Sequence, residues 1–234
     1  MISAARIIEV FSSIQGEGVY VGQPHLFVRF WDCNLACRYC DTDYRGPYRE
    51  YTQDELLDEV RGLLEKEGPH HAVSLTGGEP LLWWRFLQEW LPRLKALGQK
   101  IYLETNGTLP AALAELLPWI DIVAMDIKPP SATLDRPEWG NHEQFIRLAH
   151  SAGKDLFVKI VVTKQTADEE VRRACALVAA VDRNIPVVLQ PVTPWRDVKE
   201  TTEPSQVDRW RLQACGGLAD VRVIPQVHRL LGVR

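Results

Sequence analysis

The sequence is poor in the features that would place a protein in a membrane or on a nucleic acid. No span approaches the roughly 18 consecutive apolar residues of a transmembrane helix, and the N-terminal stretch MISAARIIEVFSSIQGEG is too polar for a signal-peptide core. The formal net charge is −4 and no run of like charges stands out, so there is no basic field to attract a phosphate backbone. We therefore expect a cytoplasmic protein without membrane or nucleic-acid partners.

Cysteine is also scarce, and its distribution is uneven. The chain of 234 residues has five cysteines, which are too few and too unevenly placed for a disulfide framework. Three of them, Cys33, Cys37 and Cys40, lie within eight residues in the pattern CxxxCxxC. Such a cluster indicates a metal site.

The kind of metal site depends on what completes the set of ligands. A closed zinc site needs four ligands, and His25, His70 and His71 are candidates for the fourth. An iron–sulfur cluster suits thiolates at this close spacing, and three cysteines leave one iron of a four-iron cluster without a protein ligand. That iron could bind a small molecule that carries an amine and a carboxylate.

The apolar pattern predicts one α/β domain over residues 1–234. An N-terminal strand pair is followed by amphipathic helices that alternate with nearly continuous apolar strands, which is typical of a parallel sheet buried on both faces. No GxGxxG motif follows the first strand, so about six βα units favour a barrel or an open partial barrel over a doubly wound sheet. The predicted strands are 5–11, 25–31, 72–76, 100–105, 121–127, 156–162, 186–190 and 221–225, and the predicted helices are 52–66, 81–98, 110–117, 141–153, 167–181 and 205–215. The proline-rich stretch 128–140 is expected to be a lid or a surface excursion.

Polar residues follow the predicted parallel strands. In a barrel the carboxyl ends of the strands meet at one mouth, where such folds build active sites. A single threonine or asparagine there is often only a helix cap or a turn residue, and it is the shared location that favours a functional site. The positions are 33, 76–80, 104–106, 126, 128, 163–164, 190–193, 226 and 228.

The cysteine motif, the aromatic Tyr39 before its third cysteine and the downstream TGGEP stretch together resemble the radical S-adenosylmethionine (SAM) enzymes. In that family the open iron is chelated by the amine and carboxylate of SAM, and the reduced cluster splits the sulfonium to give a 5'-deoxyadenosyl radical. The cofactor then supplies the hard chemistry while the protein positions it. The resemblance therefore implies a 4Fe-4S cluster and SAM.

Three further stretches, FSSIQGEG, CDT and IPQVH, resemble the 7-carboxy-7-deazaguanine synthase family along the whole chain. The resemblance implies conversion of 6-carboxy-5,6,7,8-tetrahydropterin to 7-carboxy-7-deazaguanine with loss of ammonia, on the route to queuosine and other deazapurines. It also implies a modified, partial (βα)6 TIM-type barrel, a homodimer and a flavodoxin- or ferredoxin-type reductant. Another radical SAM enzyme, such as a glycyl-radical activase, and a non-enzymatic electron-transfer module stay open as alternatives.

The resemblance also assigns roles to individual residues. Cys33, Cys37 and Cys40 match the cluster ligands, and Thr42 matches a magnesium site, for which a hydroxyl oxygen is a suitable hard ligand. The positions that match SAM contacts are Tyr39, Asp41, Gly78, Glu79, Asp126, Ile127, Lys128, Gln190, Pro191, Val192 and Thr193. The positions that match substrate contacts are Ile14, Gln15, Gly16, Arg29, Thr76, His228 and the terminal carboxylate of Arg234.

Some of these residues also have plainer interpretations. Arg29 offers a two-pronged donor to a substrate carboxylate, but it could be a surface arginine. Thr42 without the resemblance is a turn residue beside two aspartates. The chain end could be a frayed tail, although the apolar side chains at 230, 231 and 233 favour docking. No residue is assigned to proton transfer.

An aromatic stripe in the second helix is expected to be structural. Its members recur at helical spacing, which is more typical of a core or of a subunit contact than of a cofactor site. The stripe consists of Trp83, Phe86, Leu87, Trp90 and Leu94.

Overall fold

The computed structural model describes residues 4–134, 136–195, 198–214 and 216–233. Its strands are β1 (Ala4–Ile14), β2 (Pro24–Phe30), β3 (Arg49–Thr52), β4 (Ala72–Gly77), β5 (Ile101–Thr105), β6 (Ile122–Ile127), β7 (Asp155–Val162), β8 (Val187–Pro191) and β9 (Val221–Val223). Its helices are α1 (Gln53–Glu67), α2 (Trp84–Lys95), α3 (Pro110–Leu116), α4 (Pro130–Thr133), α5 (Trp139–Ser151), α6 (Asp168–Ala179), α7 (Pro204–Arg209) and α8 (Val227–Leu231). None of the helices in these ranges is long and apolar enough to cross a membrane.

The strands form one nine-stranded sheet in the order β3-β1-β2-β4-β5-β6-β7-β8-β9. From β2 to β9 every pair is parallel, and β1 pairs antiparallel with both β2 and β3. Each successive βα unit adds its strand on the same side, which is how a barrel grows rather than a doubly wound sheet. The prediction of a partial TIM-type barrel is confirmed, with β3 and β9 as its edges.

The structure differs from the predicted elements at several points. Strand β3 was not predicted, because it has four residues and Tyr51 is its one buried side chain. The helix predicted over 81–98 begins as a 3-10 turn at Pro80–Trp83, and the helix predicted over 205–215 changes to a π-turn at Trp210–Ala214. The stretch 128–140 contains the short helix α4.

The aromatic stripe of α2 belongs to the core, as predicted. Phe86, Leu87, Trp90 and Leu94 are fully buried against the sheet and its neighbouring helices. Trp83 is half-buried, and its indole N–H donates to the Trp31 carbonyl oxygen at 2.8 Å. The helix is thereby attached to the loop that follows β2, which contains the three clustered cysteines.

The three histidines proposed as zinc ligands lie at the amino ends of the strands, away from the three clustered cysteines. His25, at the start of β2, is hydrogen-bonded to Ser74 (2.7 Å) and to His71 (3.2 Å), and His70 is hydrogen-bonded to Ser12 (2.6 Å). The cysteines follow the carboxyl end of β2. The prediction that one of these histidines completes a zinc site with them is therefore wrong. In the part of the chain that the structure describes, no three His, Cys, Asp or Glu side chains converge on one metal ion.

His25 makes the stability of the fold depend on pH. Burial lowers its pKa from 6.5 to about 3, helped by the neighbouring His71. On acidification through pH 6.5 the unfolded chain binds a proton at this histidine, whereas the folded chain binds it only near pH 3. Stability that is present above pH 6.5 is therefore lost between pH 6.5 and pH 3, by up to ~1.4 kcal/mol per pH unit.

We predict that His25→Gln lowers stability at neutral pH but flattens this slope. Urea unfolding between pH 3.5 and 7 measures both effects. His150→Gln, on the exposed part of α5, serves as the control and should keep the wild-type slope. Parallel pH profiles for His25→Gln and the wild type would contradict the assignment.

Candidate functional site

A cavity of about 510 Å³ opens at the carboxyl ends of the parallel strands. Such a mouth is where barrel folds place their binding groups. Most of the residues matched to ligand contacts line it, namely Ile14, Gln15, Gly16, Arg29, Cys33, Cys37, Tyr39, Cys40, Asp41, Thr42, Thr76, Gly78, Asp126, Lys128, Gln190, Val192 and His228. Glu79, Ile127, Pro191 and Thr193 do not line it, and Arg234 lies outside the described residues.

The cysteines lie in the loop that leaves β2. Asp32 begins this loop with a left-handed backbone (φ 73°), and its carboxylate accepts the Cys33 amide at 2.8 Å. Cys33, Cys37 and Cys40 are half-buried, form no disulfide and all line the cavity. Burial raises the pKa of the Cys33 thiol to about 12. A thiolate at this position therefore needs a positive partner, which iron supplies when thiolates bind it.

Two glycines, the last residue of β4 and the residue after it, dock this loop onto the sheet. Gly77 has a φ of 120°, and a Cβ on Gly78 would lie 1.7 Å from the Asp32 carbonyl oxygen. The Gly78 amide donates to the Phe30 carbonyl at 3.0 Å, and the Glu79 amide donates to that of Asp32 at 2.9 Å. The backbone of Gly78 therefore closely approaches the cysteine loop itself, while its predicted contact with SAM stays a prediction.

The Glu79 side chain stabilises this turn through hydrogen bonds. Its buried carboxylate accepts the Thr105 hydroxyl (2.8 Å) and the backbone amides of Asn106 (2.8 Å) and Leu81 (3.1 Å). Burial outweighs these hydrogen bonds and raises the pKa of Glu79 to about 7. Its side chain therefore joins the ends of β4 and β5, while its predicted contact with SAM stays a prediction.

Arg29 points into the cavity and not to the surface. Its Nε donates to Glu9 at 2.8 Å and its Nη1 donates to the Thr42 hydroxyl at 3.2 Å. The guanidinium also lies 5.5 Å from the centre of the Phe11 ring. The Thr42 hydroxyl is thus held beside the arginine that the resemblance assigned to the substrate carboxylate, while its role at a magnesium site stays a prediction.

A carboxylate that was not assigned a role joins three strands beside this arginine. Glu104, at the end of β5, accepts Gln15 Nε2 at 2.8 Å and the Thr76 hydroxyl at 2.7 Å. Thr76 is the register partner of Arg29 across the β2–β4 pair. Two residues matched to the substrate, Gln15 and Thr76, are therefore held by one acidic group.

A chain of buried charges crosses the cavity floor. Asp126 accepts Lys128 at 2.8 Å and lies 3.2 Å from the Lys159 ammonium, which also pairs with Glu17. Burial alone would raise the pKa of Glu17, but Lys159 holds it well below its usual value. The Lys128 ammonium lies 5.7 Å from the centre of the Tyr39 ring. Each of the two ammonium groups on the floor therefore has a carboxylate partner, which offsets the cost of its burial.

The C-terminal segment folds over the same charges. Gln226 donates to Glu17 (2.9 Å) and to Asp41 (3.1 Å), and Arg229 donates to Asp41 at 2.9 Å. The Val227 amide donates to the Gly16 carbonyl at 2.9 Å, and His228 packs on that glycine. The segment is therefore held by polar contacts to the two loops that follow β1 and β2.

The expected apolar docking of the chain end was wrong in part. Leu230 and Leu231 are 74% and 60% exposed, because α8 turns them away from the cavity. Val233 lines the cavity but is 42% exposed. Hydrogen bonds and ion pairs, and not the leucines, hold this segment in place.

Comparison with known proteins gives the family. The family model of the radical SAM superfamily matches residues 32–178. The 7-carboxy-7-deazaguanine synthase of Geobacter sulfurreducens is 40% identical over 97% of each chain, and that of Methanothermobacter thermautotrophicus is 36% identical over the whole of both chains. The protein belongs to the 7-carboxy-7-deazaguanine synthase family of radical SAM enzymes. The crystal structure of QueE from Escherichia coli shares the fold, with a TM-score of 0.64, 19% identity and coverage of 96% of this chain and 95% of that one.

Membership of this superfamily implies a four-iron cluster and SAM, and the cavity suits both. Three thiols face it, and the cysteine loop is held against a glycine turn that leaves no room for a Cβ. The Tyr39 hydroxyl and Gln190 Oε1 are buried and find no hydrogen-bond partner among the described residues, although both residues line the cavity. Buried polar atoms without partners are costly, and a bound polar cofactor could satisfy them.

The sequence analysis gave no site role to Glu17, Lys159 or Arg229, and it placed Glu104 at the mouth without a specific role; all four residues line the cavity. A signal was present for Lys159, because it interrupts the apolar strand LFVKIVV, and lysine is rarely buried unless it is paired. Glu104 had a signal in its position, because it was among the polar residues predicted at the carboxyl ends of the strands. No signal marked Arg229, because its partner is 188 positions away.

We predict that Gly78→Ala displaces the cysteine loop. The added Cβ has no space beside Asp32, so the free energy of unfolding should fall by about 1–3 kcal/mol, as for other overpacked sites, and iron uptake should fall sharply. Urea unfolding and iron content per chain after anaerobic reconstitution measure the two effects.

Gly62→Ala in α1 is the matched control. A Cβ on Gly62 meets nothing within 4 Å, so this change should stabilise the helix by roughly 0.5–1 kcal/mol and leave iron uptake unchanged. Wild-type stability and iron content in Gly78→Ala would show that the loop does not depend on the contact.

Proposed function

We propose that this enzyme converts 6-carboxy-5,6,7,8-tetrahydropterin to 7-carboxy-7-deazaguanine with release of ammonia, in queuosine and 7-deazapurine biosynthesis. The observation that carries the proposal is that three cysteine thiols and the Arg29–Thr42 pair face one cavity. A radical-generating cofactor and a carboxylated small substrate could thus be bound next to each other. The family relatives named above support the same reaction.

In this proposal Cys33, Cys37 and Cys40 hold the 4Fe-4S cluster. When bound, the cluster and SAM supply the radical chemistry, and the chain positions them and keeps water away. Asp126 then offers a hydrogen-bond acceptor and Lys128 a donor, and both lie beside the Tyr39 ring. SAM carries polar groups and a flat base, which suit these three side chains. The other positions matched to SAM keep the roles given by the resemblance.

Arg29 orients the substrate by binding the substrate's carboxylate. Its guanidinium is pre-positioned by Glu9 and Phe11, so little side-chain freedom is lost when a carboxylate binds. Glu104 offers an acceptor for ring N–H and amino groups, and its contact with Gln15 and Thr76 fixes its orientation. His228, on the C-terminal segment, closes the same space.

Magnesium is proposed to bind at Thr42. Its hydroxyl lies 3.2 Å from Arg29 Nη1, which places it next to the substrate carboxylate in this scheme. Magnesium commonly takes one or two protein oxygens and completes its shell with water and substrate oxygens. One hydroxyl is therefore a sufficient protein contribution.

The remaining expectations are part of the proposal. The chain is one radical SAM domain, supported by a single sheet that runs from β3 to β9. It works as a homodimer with a flavodoxin- or ferredoxin-type electron donor. The predicted substrate contact of Arg234, which lies outside the described residues, stays part of the proposal.

The reaction is tested by anaerobic reconstitution with iron and sulfide, followed by SAM, the tetrahydropterin and a reductant. We expect 7-carboxy-7-deazaguanine and ammonia in equal amounts. SAM cleavage without turnover of the pterin would point to another radical SAM reaction, such as glycyl-radical formation on a partner protein. A lack of SAM cleavage in cluster-loaded protein would leave only an electron-transfer role.

We predict that Cys37→Ala loses the four-iron chromophore and SAM cleavage, because two thiolates cannot hold the cluster with a defined open iron. Iron and sulfide analysis and the yield of 5'-deoxyadenosine measure the loss. Arg38→Ala, an exposed neighbour in the same loop, is the control and should keep both. Full SAM cleavage by Cys37→Ala would refute the cluster assignment.

We also predict that Thr42→Val keeps the cluster and unproductive SAM cleavage but lowers pterin turnover and its response to magnesium. The reason is that only the oxygen ligand is removed. Thr42→Ser keeps the hydroxyl and should behave like the wild type. Turnover at a series of magnesium concentrations provides the measurement, and an unchanged magnesium response in Thr42→Val would count against this site.

A further inference from the structure

Three polar side chains form a closed ring of hydrogen bonds beside Cys33. Asn106 Nδ2 donates to Asn34 Oδ1 at 2.9 Å, Asn34 Nδ2 donates to Thr108 Oγ1 at 2.7 Å, and Thr108 Oγ1 donates to Asn106 Oδ1 at 2.7 Å. Asn34 directly follows Cys33, whereas Asn106 and Thr108 lie in the loop after β5. The ring therefore joins the cysteine loop to the neighbouring end of the sheet.

The ring fixes which way the Asn106 amide faces. Its Oδ1 accepts both the Thr108 hydroxyl and the Thr108 backbone amide (3.1 Å), so the oxygen must lie on that side. The NH2 group then faces Asn34 and the Cys33 sulfur, and Asn106 Nδ2 lies 3.9 Å from Cys33 Sγ. One N–H is used by Asn34, and the second is available to the sulfur.

The backbone of Asn106 is held equally firmly. Its N–H donates to the buried Glu79 carboxylate at 2.8 Å, and its carbonyl accepts His142 Nε2 at 3.1 Å. Asn106 itself is 6% exposed. A side chain fixed at every polar group cannot easily turn away, so its amide stays directed at Cys33.

The same sulfur receives a second donor. The Leu35 backbone amide lies 3.5 Å from Cys33 Sγ. Hydrogen bonds to cysteine sulfurs are among the factors that set the reduction potential of an iron–sulfur cluster, because they stabilise the extra negative charge of the reduced state. A fixed amide donor near one cysteine therefore affects the redox chemistry of the iron that this cysteine would hold.

We propose that Asn106 is a positioning residue that donates its amide N–H to the Cys33 sulfur and thereby raises the reduction potential of the cluster. Asn34 and Thr108 keep the amide in this orientation. The inference rests on the proposed binding of the cluster by Cys33, Cys37 and Cys40. It adds a residue that none of the matched motifs assigned to the cluster.

The test is an anaerobic redox titration of the reconstituted protein, followed by the EPR signal of the reduced cluster. Asn106→Leu keeps the approximate volume and removes the donor, so the midpoint potential should become more negative at unchanged iron content. Thr108→Val leaves Asn106 in place but removes the hydroxyl that orients it, and should shift the potential in the same direction by less. Thr108→Ser keeps the hydroxyl and should restore the wild-type potential.

Thr166→Val is the matched control, because Thr166 is a buried threonine after β7 whose hydroxyl accepts the Thr163 amide. It should leave the potential unchanged. Wild-type potentials in cluster-loaded Asn106→Leu would overturn the proposal, and where that variant takes up too little iron, a wild-type potential in Thr108→Val overturns it instead. A wild-type protein that binds no cluster at all would instead refute the proposed function, so the two failures are distinguishable.

Discussion

The site depends on the close backbone contact between the ends of β2 and β4. Gly78 approaches Asp32 so closely that no side chain fits, and the Gly78 and Glu79 amides bond to the carbonyls of Phe30 and Asp32. This contact sets the start of the cysteine loop against the turn after β4. Because strands β2 and β4 are parallel and in register, it also brings Arg29 beside Thr76. The thiols and the Arg29 guanidinium thus share one cavity for a geometric reason.

Paired charges organise the rest of the cavity. Lys159 lies between Glu17 and Asp126 on the floor, and Asp41 receives the C-terminal segment through Arg229. Each of these charges has an oppositely charged neighbour, which offsets the cost of removing it from water. The loop after β1, the cysteine loop and the chain end are consequently coupled to one another through side chains, whereas the sheet provides the rigid frame.

Local patterns predicted the frame well, and long-range pairings were beyond them. Helix α6 lies within the predicted segment 167–181 because its apolar residues repeat at helical spacing. Strand β3 was missed because its existence depends on pairing with β1 and not on its own four residues. The cysteine motif predicted the cysteine loop as a cluster site. By contrast, the pairing of Lys159 with Glu17 across 142 positions carries no local signal. The ring around Asn106 likewise joins residues 72 positions apart.

We propose that Cys33, Cys37 and Cys40 hold a four-iron cluster whose remaining iron is open to SAM. Electron–nuclear double resonance can detect this open iron in reconstituted and reduced protein mixed with SAM that carries 15N in its methionine amine. We expect a 15N coupling to the reduced cluster, because the amine must bind one of its irons to produce it. A fully loaded cluster that shows no 15N coupling when SAM is bound would contradict it.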